Sequence, residues 1–212
     1  MTLLNLRRRA PAAMLATVLA ASVLAGCATT SGPRSAAVVA PYSDNIELGG
    51  GISIHYIKDG KRESLIGKFT WQQSKTATEV NLISPTGQIL AVISVTPGLA
   101  TLKQSGKEPR TASDLDSLTA QALGWTLPVS GLREWLQGYA TDASGKRFVA
   151  SQANDTVVTR DGWKVEYASW QEPLQSNGAA PVPQPKLIDL TRLGAGQVDD
   201  LTIRIAIRPN AE

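Results

Sequence analysis

Short stretches of alternating apolar and polar residues begin near Ile46 and indicate a β-rich domain. Such alternation is typical of antiparallel strands with one dry face. Between the stretches lie turn-forming residues, as in KDGK at 58–61. Because strands joined by tight turns usually pair with their neighbours, the first half of the domain is predicted to be one curved antiparallel sheet. The apolar positions of this pattern are Ile52, Ile54, Tyr56, Leu65, Gly67, Phe69, Trp71, Val80, Leu82, Ile89, Ala91, Ile93 and Val95.

Two short amphipathic helices are predicted in the centre of the chain. The first has an N-cap at Ser113 and ends before Gly124. The second begins at Ser130 and stops at Gly138. In both, apolar residues recur at helical spacing and form one face. These residues are Leu115, Leu118, Ala122 and Leu123 in the first helix, and Leu132, Trp135 and Leu136 in the second.

Strand patterns resume after the helices, at residues 147–150, 156–160, 163–168, 186–191 and 201–208. A sheet interrupted by two amphipathic helices can bury their apolar faces if the helices lie across a half-closed barrel. The predicted fold class is therefore mainly β (α+β), an unclosed antiparallel β-barrel with short helices forming a lid. Periodicity leaves open whether the interior is a packed core or a cavity, since both need the same inward apolar residues.

The first 26 residues have the pattern of an export signal. Three arginines precede an apolar run that contains Pro11 and is shorter than the roughly 20 apolar residues of a membrane-spanning helix. The run ends in LAGC at 24–27, which resembles the bacterial lipobox, where the cysteine becomes the lipidated first residue of the mature chain. We therefore predict a lipoprotein signal peptide at 1–26 and lipidation of Cys27. The alternative is a free buried cysteine after an ordinary signal.

Residues 27–45 are predicted to be a lipidated flexible tether, because they are mostly small and include Pro33 and Pro41. The folded domain is then 46–212. Several acyl chains on Cys27 would hold the protein firmly on a bilayer. Ala28 follows the cysteine instead of the aspartate that favours inner-membrane retention in Gram-negative bacteria, so the predicted location is the periplasmic face of the outer membrane.

Charge and residue inventory argue against several functional classes. The net charge is +3, and the predicted signal carries three arginines and no acid, so the mature chain is close to neutral and lacks the basic character of a nucleic-acid-binding protein. The single cysteine excludes an intramolecular disulfide. The only histidine, His55, lies on the polar side of a predicted strand, away from any metal-ligand spacing. We predict no enzyme activity, metal or cofactor.

Four blocks of the chain resemble the LolB family of outer-membrane lipoprotein receptors, in matching order over roughly Leu48 to Ile207. They are FTWQQ at 69–73, NLISPTG at 81–87, LPV with LREWLQG within 127–138, and GWKVEY at 162–167. The resemblance implies a monomeric, unclosed barrel whose helices cover a hydrophobic cavity. It further implies that this cavity takes lipoprotein acyl chains from the periplasmic carrier LolA and delivers them to the inner leaflet of the outer membrane, without a cofactor.

Candidate cavity residues follow from strand alternation and the helical face. An error of one residue in register would turn any strand candidate to the opposite face. The candidates are Phe69, Trp71, Leu82, Ile93, Leu118, Leu136, Tyr167 and Ile203.

The resemblance also points to a membrane-delivery loop at Pro85, Thr86 and Gly87. In the family this loop exposes a hydrophobic residue, whereas this chain has Thr86 there. Three interpretations stay open: delivery that relies on apolar neighbours such as Ile83, Ile89 or Leu90, a divergent relative whose insertion step is weaker or different, and a plain turn chosen for its Pro and Gly.

Two other functional classes are compatible with the sequence. The chain could be a structural or assembly lipoprotein whose solid barrel is an interaction module. It could also be a lipid-anchored binder of a small hydrophobic ligand. Uptake of a hydrophobic probe separates the first from the receptor, and displacement of that probe by lipoprotein acyl chains separates the second.

Overall fold

The structure, a computed structural model, describes residues 35–123, 128–172, 182–192 and 199–208. These residues form mainly antiparallel strands, with two helices in the centre of the chain. In order, the elements are β1 (Ile46–Lys58), β2 (Lys61–Gln73), β3 (Thr78–Ile83), β4 (Ile89–Thr96), β5 (Leu99–Gln104), β6 (Arg110–Ala112), α1 (Leu115–Leu123), α2 (Val129–Trp135), β7 (Tyr139–Thr141), β8 (Arg147–Val149), β9 (Thr156–Val158), β10 (Trp163–Gln171), β11 (Gln184–Arg192) and β12 (Asp199–Arg208).

Ten strands form one antiparallel sheet in the order β6-β5-β4-β3-β2-β1-β12-β11-β10-β9. The first six strands pair with their sequence neighbours, and β12 pairs with β1 to join the two halves of the chain. The edge strands β6 and β9 are not paired with each other, so the barrel stays open. Strands β7 and β8 pair separately. The predicted fold class is confirmed.

One face of the sheet carries the apolar core, as the alternation predicted. On β12 the four inward side chains are at most 4% exposed, while the residues between them are exposed or half-buried. On β2 the same parity buries Phe69 and Trp71. Burying such side chains stabilises each by about 1.5–3 kcal/mol. The inward residues of β12 are Leu201, Ile203, Ile205 and Ile207.

The alternation fails at one end of the sheet, where Leu65 and Ile89 are exposed although the pattern placed them on the dry face. Strand β3 ends at Ile83, which pairs with Lys68, so the part of β2 that contains Leu65 extends past its partner. On β4, a register shift opposite Leu82 and Ile83 interrupts the period of two before Ala91.

Both predicted helices are present, with different first residues. Asp114, not Ser113, caps α1, because an Asp114 carboxylate oxygen accepts the backbone N–H of Ser117 at 2.8 Å. The Ser113 hydroxyl instead donates to Asp114 at 3.0 Å. Helix α2 begins at Val129, one residue before the predicted start. Gly138 follows its end with a φ of +84°, as predicted for a stop.

Residues 35–45, called here the N-terminal segment, pack against the domain although the sequence placed them in the tether. Val39 is only 4% exposed. Its N–H donates to the carbonyl of Ala150 at 3.3 Å, and the Tyr139 hydroxyl donates to the carbonyl of Ala40 at 2.7 Å. The flexible tether predicted for 27–45 is therefore wrong for the later part of this range, because side chains distant in sequence hold it.

The predicted signal peptide (1–26), the lipidation site Cys27 and Gly124 lie outside the described residues. Within the described ranges, no helix has the length and apolar character needed to cross a membrane.

Candidate functional site

Helix α2 lies against the inward face of the sheet and closes an apolar cavity of about 30 Å³, called here the sealed cavity. That volume exceeds the roughly 10–15 Å³ that one water needs, but a cavity lined only by apolar side chains stays dry. Strands β1 to β4 and β12 supply one wall, and α2 and the residue after it supply the other. The lining residues are Ile52, Phe69, Trp71, Val80, Leu82, Ile93, Val129, Leu132, Leu136 and Ile205.

The structure brings five of the eight candidate cavity residues together around this space: Phe69, Trp71, Leu82, Ile93 and Leu136. They come from three neighbouring strands and from the end of α2, so strand pairing and the helical face both had to be predicted correctly.

The other three candidates, Leu118, Tyr167 and Ile203, are buried but do not line the sealed cavity. Leu118 belongs to α1, which packs on β5 and β6. Tyr167 stacks on Phe148, with ring centroids 6.3 Å apart. Their burial follows from the sequence pattern, but which buried residues border the cavity depends on where α2 lies across the sheet. The candidates omitted Ile52, Val80, Val129, Leu132 and Ile205, of which all but Val129 belong to the apolar patterns described above.

Arg133 fastens α2 to the turn between β2 and β3. Its guanidinium donates to the carbonyl of Ser74 at 2.8 Å and to the carbonyl of Ala77 at 3.3 Å, and it also donates to the Thr78 hydroxyl. Sequence reasoning missed this role because the partners lie 55–59 residues earlier and two of them are backbone carbonyls. The position of α2 over the cavity thus depends on a side chain that faces away from it.

Asp116 connects the two helices, and hydrogen bonds satisfy only part of its carboxylate. One of its carboxylate oxygens accepts the Ser130 hydroxyl at 2.9 Å. The other oxygen is buried and has no hydrogen-bond partner among the described residues. Burial is the main reason that the pKa of Asp116 lies above its usual 3.8. By contrast, the hydrogen bonds from Ser117 hold the pKa of Asp114 below that value.

We expect Asp116→Asn to raise the free energy of unfolding at pH 7. A carboxyl group whose pKa is higher in the folded than in the unfolded protein reduces stability above that pKa, and the reduction vanishes below the unfolded value of 3.8. Urea unfolding of both proteins between pH 3 and pH 7 measures the effect. The gain should therefore shrink as the pH falls.

Asp114→Asn is the matched control, because the pKa of Asp114 is shifted in the opposite direction. This variant should gain no stability at pH 7. At neutral pH the variant should be less stable than the parent, and this difference in the free energy of unfolding should fade on acidification. If the stability of both variants changed with pH in the same way, burial would not be the cause of the raised pKa of Asp116.

His55 is exposed, as predicted, and its Nε2 lies 2.9 Å from the Ser53 hydroxyl. Within the described ranges, no group of three or more His, Cys, Asp or Glu side chains is placed to hold a metal ion.

The family model described as Outer membrane lipoprotein LolB matches residues 44–209, a range that includes every described strand and helix. The chain belongs to the LolB family. The resemblance drawn from the four sequence blocks is therefore confirmed.

Individual LolB proteins match over most of their length. The outer-membrane lipoprotein LolB of Cupriavidus pinatubonensis is 36% identical over 188 residues, which cover 88% of this chain and 89% of the relative. LolB of Cupriavidus necator is 38% identical over 161 residues, covering 76% of this chain and 77% of the relative. Among solved structures, a LolA superfamily protein from Nitrosomonas europaea covers 81% of this chain and 87% of its own, with 12% identity and a TM-score of 0.45.

The loop that the LolB resemblance assigned to membrane delivery is a tight, internally bonded turn. The Gly87 N–H donates to the carbonyl of Ser84 at 3.0 Å, and Gly87 has a φ of +94°. The hydroxyls of Thr86 and Ser84 are 2.9 Å apart. Thr86 is exposed, but its one polar group is already engaged within the loop.

Apolar side chains surround this turn at the same end of the sheet. Ile66 is 65% exposed and Ile89 is 57% exposed, and Leu65 and Leu90 are each 49% exposed. Ile83, the last residue of β3, pairs with both Lys68 and Ile89, so Ile89 and Leu90 directly follow the turn, while Leu65 and Ile66 lie two to three residues past Lys68 on β2. We call Leu65, Ile66, Ile89 and Leu90 the apolar tip.

Proposed function

We propose that this LolB-family chain is an outer-membrane-anchored receptor that accepts lipoproteins from the periplasmic carrier LolA and inserts them into the outer membrane. The observation that carries the proposal is the sealed cavity, whose lining is entirely apolar. Acyl chains are expelled from water, and an apolar pocket is the protein environment that competes with lipid for them. Lipidated Cys27 would keep the receptor on the periplasmic face of the membrane.

Acyl binding requires α2 to move, because a space of about 30 Å³ is far smaller than a lipoprotein's acyl chains. Helix α2 has only seven residues and no side-chain N-cap, so it has little stability of its own. Its apolar side chains, Val129 and Leu132, occupy the space that a ligand would take. Binding therefore exchanges helix–sheet contacts for acyl–sheet contacts of similar chemistry.

Transfer without an energy source needs a series of increasing affinities. Each tenfold preference corresponds to about 1.4 kcal/mol. The receptor must bind the acyl chains more tightly than LolA does and less tightly than the bilayer does. The cost of displacing α2 lowers the affinity of the receptor, which favours the last step.

The final step also needs a surface that contacts lipid, and the apolar tip supplies the chemistry. Its four side chains are apolar and about half exposed or more, so they can enter a bilayer at little cost. In this chain the flanking residues would replace the hydrophobic residue missing at Thr86. This favours the first of the three interpretations of the loop, delivery that relies on apolar neighbours.

We expect the double variant Ile66→Ser/Ile89→Ser to bind vesicles about tenfold more weakly, since two partly exposed isoleucines lose roughly 1–2 kcal/mol of apolar transfer between them. The measurement is co-flotation of the full chain carrying Cys27→Ala with phosphatidylethanolamine/phosphatidylglycerol vesicles. Leu99→Ser is the control, because Leu99 is 49% exposed but starts β5 at the opposite end of the sheet. Equal losses of vesicle binding in both variants would exclude the apolar tip as the surface that contacts lipid.

The function is tested by transfer of cargo. The full chain with Cys27→Ala is mixed with LolA that carries a tagged lipoprotein, and the two proteins are then separated. We expect the cargo to move to this chain and not to return. Cargo that stays on LolA at every protein ratio, while circular dichroism shows a folded receptor, would overturn the proposal.

Two control outcomes identify the alternatives. Failure of transfer together with no uptake of a hydrophobic fluorescent probe would indicate a solid interaction module. Uptake of the probe that lipoprotein acyl chains do not displace would indicate a binder of small hydrophobic ligands.

A further inference from the structure

A second apolar space lies at the end of the sheet opposite the apolar tip, where the N-terminal segment crosses it. This space, called here the mouth groove, has a volume of about 180 Å³ and is open on one side. Its apolar walls come from the N-terminal segment, β1, β12 and the residue after α2. Its apolar residues include Val39, Pro41, Ile46, Leu48, Leu136 and Ile207.

The mouth groove continues the line of the sealed cavity. On β12, Ile205 lines the cavity and Ile207, the next inward position, lines the groove. On β1, Ile52 lines the cavity and Leu48 lines the groove. Four strand residues span about 13 Å, so the two spaces are successive parts of one apolar path along the sheet.

One side chain borders both spaces. Among the described residues, Leu136 is the single residue that lines both. On the sheet side, the inward position between Leu48 and Ile52 is Gly50, and the ring of its β2 partner Phe69 lies beside it. A Cβ atom there would lie 2.0 Å from the carbonyl oxygen of Ala206, so a larger residue does not fit.

We propose that the mouth groove is the entrance for an acyl chain and that Leu136 is the gate between the groove and the interior. The inference rests on the proposed function. Leu136 comes directly after α2, and its N–H still donates to the carbonyl of Leu132 at 3.1 Å. Two residues later, Gly138 ends the helical path with its positive φ. A small shift at the end of α2 therefore moves the gate without unfolding the sheet.

The N-terminal segment forms the outer wall of this entrance and is bonded to the residue beside the gate. The Ser43 N–H donates to the Gln137 side-chain oxygen at 2.9 Å, and the Gln137 amide donates back to the Ser43 carbonyl at 3.0 Å.

The rim of the groove indicates the class of ligand. Its polar side chains are Ser43, Gln137, Gln171 and Gln184, and within the part of the chain that the structure describes no charged side chain lines the groove. A carboxylate held at such a rim would lack a cationic partner. Amide groups can donate to and accept from neutral ester and amide groups. The entrance therefore suits an acyl chain linked through an ester or amide, and disfavours a free fatty acid.

The test blocks the groove chemically. Cys27 is the only cysteine, so the full chain with Cys27→Ala offers a cysteine-free background. A cysteine introduced by Leu48→Cys is labelled with a bulky maleimide, and uptake of a pyrene-labelled palmitoyl ester is followed by stopped-flow fluorescence. We expect the label to slow uptake at least tenfold. The same label after Leu99→Cys, an exposed position at the same end of the sheet, should change the rate less than twofold.

Two results separate this inference from the proposed function. Absence of ester uptake by the unlabelled chain would overturn both. Uptake at an unchanged rate with the groove blocked would overturn the entrance alone.

The gate and the ligand class have their own readouts. Leu136→Ala should accelerate uptake of the ester severalfold. An unchanged rate in a folded variant would exclude Leu136 as the gate. If that variant does not fold, the labelled Leu48→Cys chain decides whether the groove is the entrance. The palmitoyl ester should bind at least tenfold more tightly than its free pyrene-labelled acid. Equal affinities would overturn the assignment to neutral esters.

Discussion

Replacing Trp71 with alanine should lower the free energy of unfolding by about 3–5 kcal/mol, a change of about 10²–10³-fold or more in the folding equilibrium. Trp71 is 1% exposed and lines the sealed cavity. Its indole N–H donates to the Gln73 side chain at 3.2 Å, so the substitution enlarges the cavity and also removes a buried hydrogen bond. Urea unfolding of the full chain with Cys27→Ala measures the loss.

Gln72→Ala is the matched control, because Gln72 is the next residue on β2 and faces the exposed side. Its effect should stay within about 0.5 kcal/mol. A loss below about 1 kcal/mol for Trp71→Ala would mean that the interior collapses around the missing ring, and the sealed cavity described here would then not be a fixed feature.

Replacing Arg133 with alanine should cost about 2–3 kcal/mol and should release α2 from the sheet. Hydrogen bonds to a charged donor contribute about 1.5–3 kcal/mol, and the acceptors at half-buried Ser74 and buried Thr78 would lose their partner. Hydrogen exchange at the Leu136 N–H, which is bonded within the helical turn, should accelerate about 10-fold or more if α2 opens. Probe uptake should become faster in parallel.

Two other arginine variants test whether the loss comes from this attachment. Arg133→Lys keeps the charge but not the forked donor geometry, so an intermediate loss is expected. Arg147→Ala removes an exposed arginine whose guanidinium lies 4.7 Å from the Tyr139 ring centroid, and it should leave exchange in α2 unchanged. Faster exchange in α2 after Arg147→Ala would show that the lid responds to general destabilisation.

Most of the fold could be predicted because its signals are local. An inward residue is followed by an outward one within the same strand, and the KDGK turn specifies its own hairpin, in which Lys58 pairs with Lys61. Membership of the LolB family was likewise carried by contiguous blocks, such as LREWLQG in and after α2. These features need no knowledge of which distant residues meet.

The candidate site could be predicted only in part. Alternation placed Trp71 and Tyr167 equally on inward faces, yet one lines the sealed cavity and the other packs against Phe148. Which inward residue borders the cavity depends on where α2 lies across the sheet. That position is set by Arg133 and its distant turn, which no local pattern records.

The sequence by itself determined the strand and helix pattern and the family, and it predicted lipidation of Cys27. Tertiary structure decided that the interior holds a small sealed cavity, that Leu136 separates it from a groove, and that the N-terminal segment is docked rather than free. The bonds behind the last result, between Ser43 and Gln137, join residues 94 positions apart. Propensity and periodicity act over a few residues, whereas such contacts exist only after the chain has folded.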